Sequence, residues 1–350
     1  MPGLNPAPSV RVREIPLALR RAGAAASVAM PPWTADQVPD QRGRTAIVTG
    51  ATGGLGLVTA RELARGGADV VLAVRDTERG DAVAERIRAD APGARVRAVR
   101  LDLADLGSVR AFVAALRPDD APLDLLVNNA GVMALPELRT ADGFEMQLGT
   151  NHLGHFALTG LLLPRLLAAQ DARVVTVTSA AHRMGRLAPE DLGHLGEPGG
   201  SGRYRRWRAY GGSKLANLLF AFELQRRADV AGVPLLSVAA HPGFAATDLQ
   251  IAGPRMEGSA ARLGIARLAT RLFAQSPEAG ALPILFAATM PVPGGGFVGP
   301  GGPFEARGQP RFVSASRAAG DAAAAARLWE ASEELTQVRF AFPAAFSAPG

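Results

Sequence analysis

Tyr210 and Lys214 stand four residues apart in Tyr210-Gly211-Gly212-Ser213-Lys214. On a helix that spacing puts both side chains on one face. A cation beside a phenol favours the phenolate and brings its pKa toward working pH. Tyr210 then reads as a general acid for reducing a carbonyl, or as a base for oxidising an alcohol. The competing reading is an exposed helical pair with no chemistry. Composition bears on the choice: Lys214 is the only lysine among 38 basic residues, and Tyr210 is one of two tyrosines. Arginine is planar and always charged, whereas an ammonium is compact and donates in three directions. A single retained lysine therefore marks a place where guanidinium will not serve, unless it survived by chance.

Two further side chains fall where they could join this pair. Ser179, at the end of an apolar run, could hydrogen-bond a substrate oxygen. Asn151, opening a helical stretch, could hold a water for proton delivery or could simply cap the helix.

A glycine-rich run, Thr49-Gly50-Ala51-Thr52-Gly53-Gly54-Leu55-Gly56, follows the buried-strand pattern 45–49 and opens a helix. Such a turn lets backbone approach a pyrophosphate, whose charge meets free N–H groups at the helix N-terminus. Gly50, Gly54, Leu55 and Gly56 are the contacts expected, with glycine required where a Cβ would hold the phosphate away. Tight turns without a ligand use the same residues. The next strand ends in Val74-Arg75-Asp76. An acid at the first position would select NAD through the ribose hydroxyls. Arg75 instead suits a 2′-phosphate, so NADP(H) is expected to be preferred over NAD(H), the alternative being a solvated arginine. Asp102 and Leu103 follow the third strand, where an adenine would lie. Asn128-Asn129-Ala130-Gly131 follows the fourth. There Ala130 and Gly131 let backbone pass close to a cofactor, and the Asn128 amide can tie neighbouring strands. His241-Pro242-Gly243 follows the sixth strand and is placed to bound the nicotinamide end. His152 and His155 lie three apart with no acid to complete a metal set, so they read as structural and no metal is expected.

These motifs need a scaffold. Strands at 45–49, 69–74, 95–100, 123–127, 173–178 and 235–240 alternate with helices at 78–89, 105–116, 151–169 and 210–228. Asp105 is set to cap its helix. The alternation predicts an α/β fold, a single Rossmann-type doubly wound parallel sheet with helices on both faces. Residues 1–29 read as a disordered extension, or as sequence upstream of a start at Met30. Residues 30–350 read as the domain, with substrate-wall segments near 183–208 and 250–310. Within the latter, Ser276-Pro277-Glu278 starts a helix, and 291–303 reads as a Pro/Gly loop.

Composition excludes other classes. The chain of 350 residues is 48% hydrophobic and 5% aromatic, which predicts a core of Ala, Val and Leu. With no cysteine, disulfides, thiolate catalysis and cysteine-bound metals are excluded. The net charge of +6 is spread along the chain, and its densest cluster, 203–208, reads as a solvated loop rather than a nucleic-acid surface. No apolar run approaches the roughly 18 residues of a membrane span, and 10–30 lacks a leader core. The expectation is a cytoplasmic protein without nucleic-acid or membrane partners; homo-oligomerisation stays open.

Taken together, Thr49 to Gly56, Asn128 to Gly131, Asn151, Ser179, Tyr210/Lys214 and Pro242-Gly243 resemble the short-chain dehydrogenase/reductase family over about residues 44–250. Asn151-His152-Leu153-Gly154-His155-Phe156, Ala180-Ala181-His182, 214–218 and Leu328-Trp329-Glu330 resemble its retinol dehydrogenase and protochlorophyllide reductase-like branch. The resemblance implies a tetrad: Asn151 for proton relay, Ser179 to polarise the carbonyl, Tyr210 as acid/base, and Lys214 to lower the Tyr210 pKa and bind the nicotinamide ribose. It also implies that Thr247 touches the cofactor amide or phosphate. Two departures stand out. Ser179 and Tyr210 are 31 positions apart, longer than the family's common form. The spacing of Gly50, Gly53 and Gly56 fits the extended, epimerase-like members, whereas Asn128 to Gly131 fits the simple reductases. The reading is hydride transfer between NADP(H) and an apolar carbonyl or alcohol. Its rivals are a sugar-nucleotide epimerase, distinguished by turnover of UDP-sugars, and a regulatory protein that binds nucleotide without turnover.

Overall fold

The computed structural model describes residues 32–116, 122–187, 204–244 and 275–343. Thr247, the extension 1–29 and part of each expected substrate wall (188–203 and 250–274) lie outside the described residues.

β1 (Thr45–Thr49) and β2 (Asp69–Val74) are runs of β-branched and small apolar residues that pair in parallel. Their side chains alternate between two buried faces. Ala46 and Val48 meet one apolar cluster, while Ile47 meets the other. β3 (Arg95–Arg100) adds outside β2, and β4 (Leu125–Asn128) adds on the other side of β1. β5 (Ala172–Val177), β6 (Leu235–Ala240) and β7 (Phe297–Pro300) continue in parallel, and β8 (Pro310–Phe312) closes the sheet antiparallel. The order β3-β2-β1-β4-β5-β6-β7-β8 reverses direction between β1 and β4. That reversal leaves a crevice at the carboxyl ends of β1 and β4, where open α/β sheets take their ligands.

α1 (Gly54–Arg65), α2 (Thr77–Asp90) and α6 (Pro277–Thr289) supply Val58, Leu63, Ile87 and Ile284 to one face of the sheet. On the other face α3 (Leu106–Ala115), α4 (Gly154–Leu167) and α5 (Arg206–Ala231) supply Phe112, Phe156, Leu162 and Phe220. Asp105 caps α3, accepting from the Gly107 and Ser108 amides, and Ser276 caps α6 through the Ala279 amide. Both starts follow from a short polar side chain with a free backbone donor within reach. Among the described residues no helix is long and apolar enough to cross a membrane.

Some elements differ from the sequence expectation or add to it. The helical stretch at 151–169 begins earlier: a turn at Met146–Leu148 and a π-helical turn at Gly149–Leu153 precede α4. Asn151 therefore sits inside a helix rather than at its cap. The Pro/Gly loop at 291–303 contains β7, whose Gly299 is required because a Cβ there would lie 2.1 Å from His241 Nε2. Finally, α7 (Ala322–Thr336) packs across α5 and brings Trp329 against Phe156, Phe220 and Phe340.

Trp329 is 2% exposed and lies under the Arg227 guanidinium, 4.5 Å from the ring. Replacing it with alanine empties the centre of this aromatic group. Trp329→Ala is expected to lower the unfolding free energy by about 3–5 kcal/mol, read from equilibrium denaturant titration. A loss below about 1 kcal/mol would show that the aromatic group is dispensable to stability.

Candidate active site

The glycine loop follows directly from β1. Gly50 has φ +68°, and a Cβ on it would fall 2.9 Å from the Ala130 Cβ. A Cβ on Gly56 would fall 2.5 Å from both Asn129 Nδ2 and the Gly50 carbonyl oxygen. Close approach of β1, α1 and the loop after β4 thus demands glycine at both positions. Gly54 also has positive φ, and Leu55 follows it in the first turn of α1. No side chain caps α1 and its first turn carries no acid, so its leading N–H groups face the crevice without a built-in anion. The arrangement fits a pyrophosphate.

Around this loop the expected cofactor residues fall as follows. Arg75 is exposed at the end of β2. Asp76, one residue later, caps α2 by accepting from the Arg79 amide. The Arg79 side chain reaches back to the loop, with NH2 3.5 Å from where a Gly53 Cβ would be. Sequence reading missed Arg79; its signal is a second arginine in the first turn of the helix that follows Arg75. Asp102 organises the turn after β3: its carboxylate accepts from the Ala104 amide, and its own amide donates to Ser108 Oγ. The Leu103 carbonyl packs so tightly on α4 that Gly154 cannot carry a Cβ, which would lie at 2.4 Å. Asn128 does not tie strands together, because its amide donates to Thr159 Oγ1 on α4. Asn129 does so instead, donating to the Thr49 carbonyl at 2.8 Å.

The reactive corner lies beside it. Tyr210 and Lys214 are on α5, both buried, with Nζ 6.0 Å from the phenol ring centroid. Lys214 Nζ donates to the Val177 carbonyl at 3.1 Å, at the end of β5. Gly131 lies close by; a Cβ there would meet Asn151 Oδ1 at 3.0 Å and Lys214 Nζ at 3.5 Å. Asn151 accepts from the Val132 amide and donates to the Val132 carbonyl and Ser213 Oγ. Asn151, Ser179, Tyr210, Lys214 and Gly131 are thus brought into one corner. Ser179, half-buried after β5, accepts from the Ala181 amide and stands beside the Tyr210 phenol. Pro242 and Gly243 (φ +68°) form the turn after β6, and Gly243 packs on the Ala306 carbonyl.

Electrostatics differ from the expectation in one respect. Burial pushes Tyr210 up to about 12, and the neighbouring Ser179 hydroxyl only partly opposes it. Burial lowers Lys214 to about 8. Desolvation, which disfavours both charged forms, outweighs the mutual benefit of an ammonium and a phenolate at this separation. The enclosed phenol is held protonated, the form that donates a proton.

Beyond the tetrad, Glu305 joins the rim. Its carboxylate lies 3.1 Å from Arg183 NH2 and 3.1 Å from His241 Nε2. Glu305 and its neighbour Phe304 both have φ near +54°. Such backbone strain is maintained where surrounding contacts overdetermine it. No spacing in the sequence relates Glu305 to Arg183. The histidines expected to be structural are both enclosed: His152 contacts Ser332 Oγ, and His155 contacts Thr49 Oγ1.

Comparison with known proteins agrees with this geometry. A family model described as short chain dehydrogenase matches residues 44–188. The chain is 46% identical over 258 residues to polyprenol dehydrogenase of Mus musculus, covering 73% of this chain and 74% of that protein. It is also 46% identical over 207 residues to retinol dehydrogenase 12 of Homo sapiens, covering 59% of this chain. That alignment spans 63% of the retinol dehydrogenase, less than two thirds of its length. A crystal structure from Mycobacterium Paratuberculosis is 47% identical with a TM-score of 0.73, covering 89% of this chain and all of the other.

The depressed Lys214 pKa has a thermodynamic consequence. Between about pH 8 and 10.5 the unfolded chain binds more protons at this group than the folded chain. Unfolding free energy contributed by Lys214 therefore rises with pH through that window. Relative to Lys214→Met, the native chain should gain about 2 kcal/mol from pH 8 to pH 10 in urea titrations. A difference that stays flat with pH would reject burial of this amine.

Proposed function

Because the chain belongs to the short chain dehydrogenase family, we propose that this oxidoreductase prefers NADPH and acts on an apolar carbonyl or the corresponding alcohol. The observation that carries the reading is Tyr210, buried beside Ser179 with Lys214 one helical turn away, next to a glycine loop shaped for a pyrophosphate. A bound nicotinamide supplies or accepts the hydride. Ser179 orients the substrate oxygen and Tyr210 donates its proton to that oxygen during reduction. In oxidation the same groups run in reverse. Lys214 has donors left over from Val177 for a ribose hydroxyl. Asn151 holds the loop at Val132 that walls this corner, and Pro242 and Gly243 complete the nicotinamide side.

Two observations support the finer calls. Arg75 and Arg79 are both exposed and lie near the turn after β2, where a 2′-phosphate meets guanidinium donors. Large apolar side chains are exposed on segments that adjoin the site residues: Met184 after Ser179, Trp207 edge-on to Tyr210, Phe244 after Gly243, and Phe304 beside Glu305. They are 42–99% exposed, which suits an apolar substrate entering there. Polyprenol and retinol, named for the relatives, are apolar alcohols.

The direct test is NADPH oxidation by the purified chain with retinaldehyde, a prenyl aldehyde and simple ketones, each repeated with NADH. Turnover of apolar carbonyls with NADPH is expected; nucleotide binding without any turnover would favour a regulatory protein. Lys214→Arg should lower kcat/KM by at least about two orders of magnitude, near 3 kcal/mol of transition-state stabilisation. Near-normal turnover in that variant would reject the role given to the amine. Arg75→Ala and Arg79→Ala should each raise the KM for NADPH about tenfold while leaving that for NADH within about twofold. Equal effects on the two cofactors would remove the NADPH preference.

A further inference from the structure

His155 stands on α4, completely enclosed, outside the tetrad, yet both its ring nitrogens are engaged. Nδ1 lies 3.0 Å from the backbone carbonyl oxygen of Asn151. A carbonyl can only accept, so Nδ1 carries a proton. Burial lowers the ring pKa to about 4, so the imidazole is neutral and Nε2 is a bare acceptor. Nε2 lies 2.9 Å from Thr49 Oγ1. That oxygen already accepts from the Asn129 and Ala130 amides, each at 2.9 Å. Its own proton goes to His155, because the other acceptor in reach, the Val127 carbonyl, is 3.3 Å away. One assignment of protons satisfies the whole chain.

The two ends of this chain are functionally different places. Asn129 and Ala130 are the surfaces against which Gly56 and Gly50 pack, so the Thr49 hydroxyl sets the height of the glycine loop. At the other end, the Asn151 carbonyl belongs to the π-helical turn that presents the Asn151 side chain to Val132 and Ser213. π-Turns are held open by specific contacts and gather at functional sites.

We infer that His155 is a positioning residue that couples the dinucleotide loop to the reactive corner, with Nε2 holding Thr49 and Nδ1–H holding the carbonyl of Asn151. The inference rests on the proposed hydride-transfer reading of the same site. Its chemistry is that of a fixed neutral tautomer: one acceptor for the loop and one donor for the π-turn. Phenylalanine would fill the volume and supply neither.

Two polar variants separate the ends. In His155→Asn the amide N–H can replace Nδ1 but cannot reach Thr49; in His155→Gln the longer amide reaches Thr49 and leaves Asn151 unbonded. The Asn variant is expected to weaken NADPH binding about tenfold, by nucleotide fluorescence, with kcat within about threefold of the native enzyme. The Gln variant is expected to show the reverse, kcat down about tenfold with binding within about threefold. His155→Phe should lose both. Parallel losses in binding and kcat that merely track each variant's Tm would overturn the inference, as would native behaviour of His155→Phe. Ring ¹⁵N NMR of the native full-length chain gives an independent readout: a neutral ring protonated at Nδ1 from pH 5 to pH 8 is expected. A ring protonated at Nε2 would overturn the inference even if the enzyme turns over normally. Failure of native protein to bind or turn over any dinucleotide, with the Nδ1 tautomer observed, would instead strike the proposed function.

Discussion

The arrangement depends on keeping an ammonium and a phenol out of water at the carboxyl edge of a sheet. Lys214 and Tyr210 are 3% and 5% exposed, and burial moves both pKa values toward the neutral forms. An enclosed cation is tolerated only where acceptors are arranged for it. Here the acceptor is the last carbonyl of β5, Val177, which also receives the Asn217 amide. The Lys214 carbonyl in turn accepts from Thr178 Oγ1. Strand end and helix are therefore locked in both directions, and the distance between the amine and the crevice is set by backbone. A side chain that had to find its own place would lose this registration.

The sheet order supplies the rest. Reversal between β1 and β4 opens the crevice, and residues just beyond each strand fill its rim: Gly50 after β1, Arg75 after β2, Asp102 after β3, Gly131 beyond β4, Ser179 beyond β5 and Pro242 beyond β6. Helices on the two faces leave no room for side chains between the closest backbones. Gly56 and Gly154 answer that constraint in different places, against Asn129 and Leu103. Packing and chemistry are thus one problem at this edge, since the same close approaches that exclude a Cβ admit a nucleotide.

Much of this was readable in the chain. Four strands, at 45–49, 69–74, 95–100 and 235–240, have the boundaries read from the sequence. The Tyr210/Lys214 spacing and the glycine loop fell into place because both are local in sequence. What escaped was non-local. β7 lies in a run of Pro and Gly, and its residue 299 is glycine because His241, distant in sequence, occupies the space a side chain there would need. Asn151 was expected to open its helix because a π-turn has no residue signature; inside that turn it meets Val132 and His155. The phenol's state was misjudged because charge proximity is visible in spacing, whereas desolvation depends on everything packed around it.

His241 and Gly299 show what such packing means for change over time. The imidazole fills the volume that a β-carbon at 299 would claim, so the two sites are locked as a pair. A larger residue at 299 collides while histidine remains, and a smaller residue at 241 leaves a hollow while glycine remains. Either route passes through a disfavoured intermediate, so drift at one site is conditional on the other. Divergence should then be slower here than at freely varying surface positions.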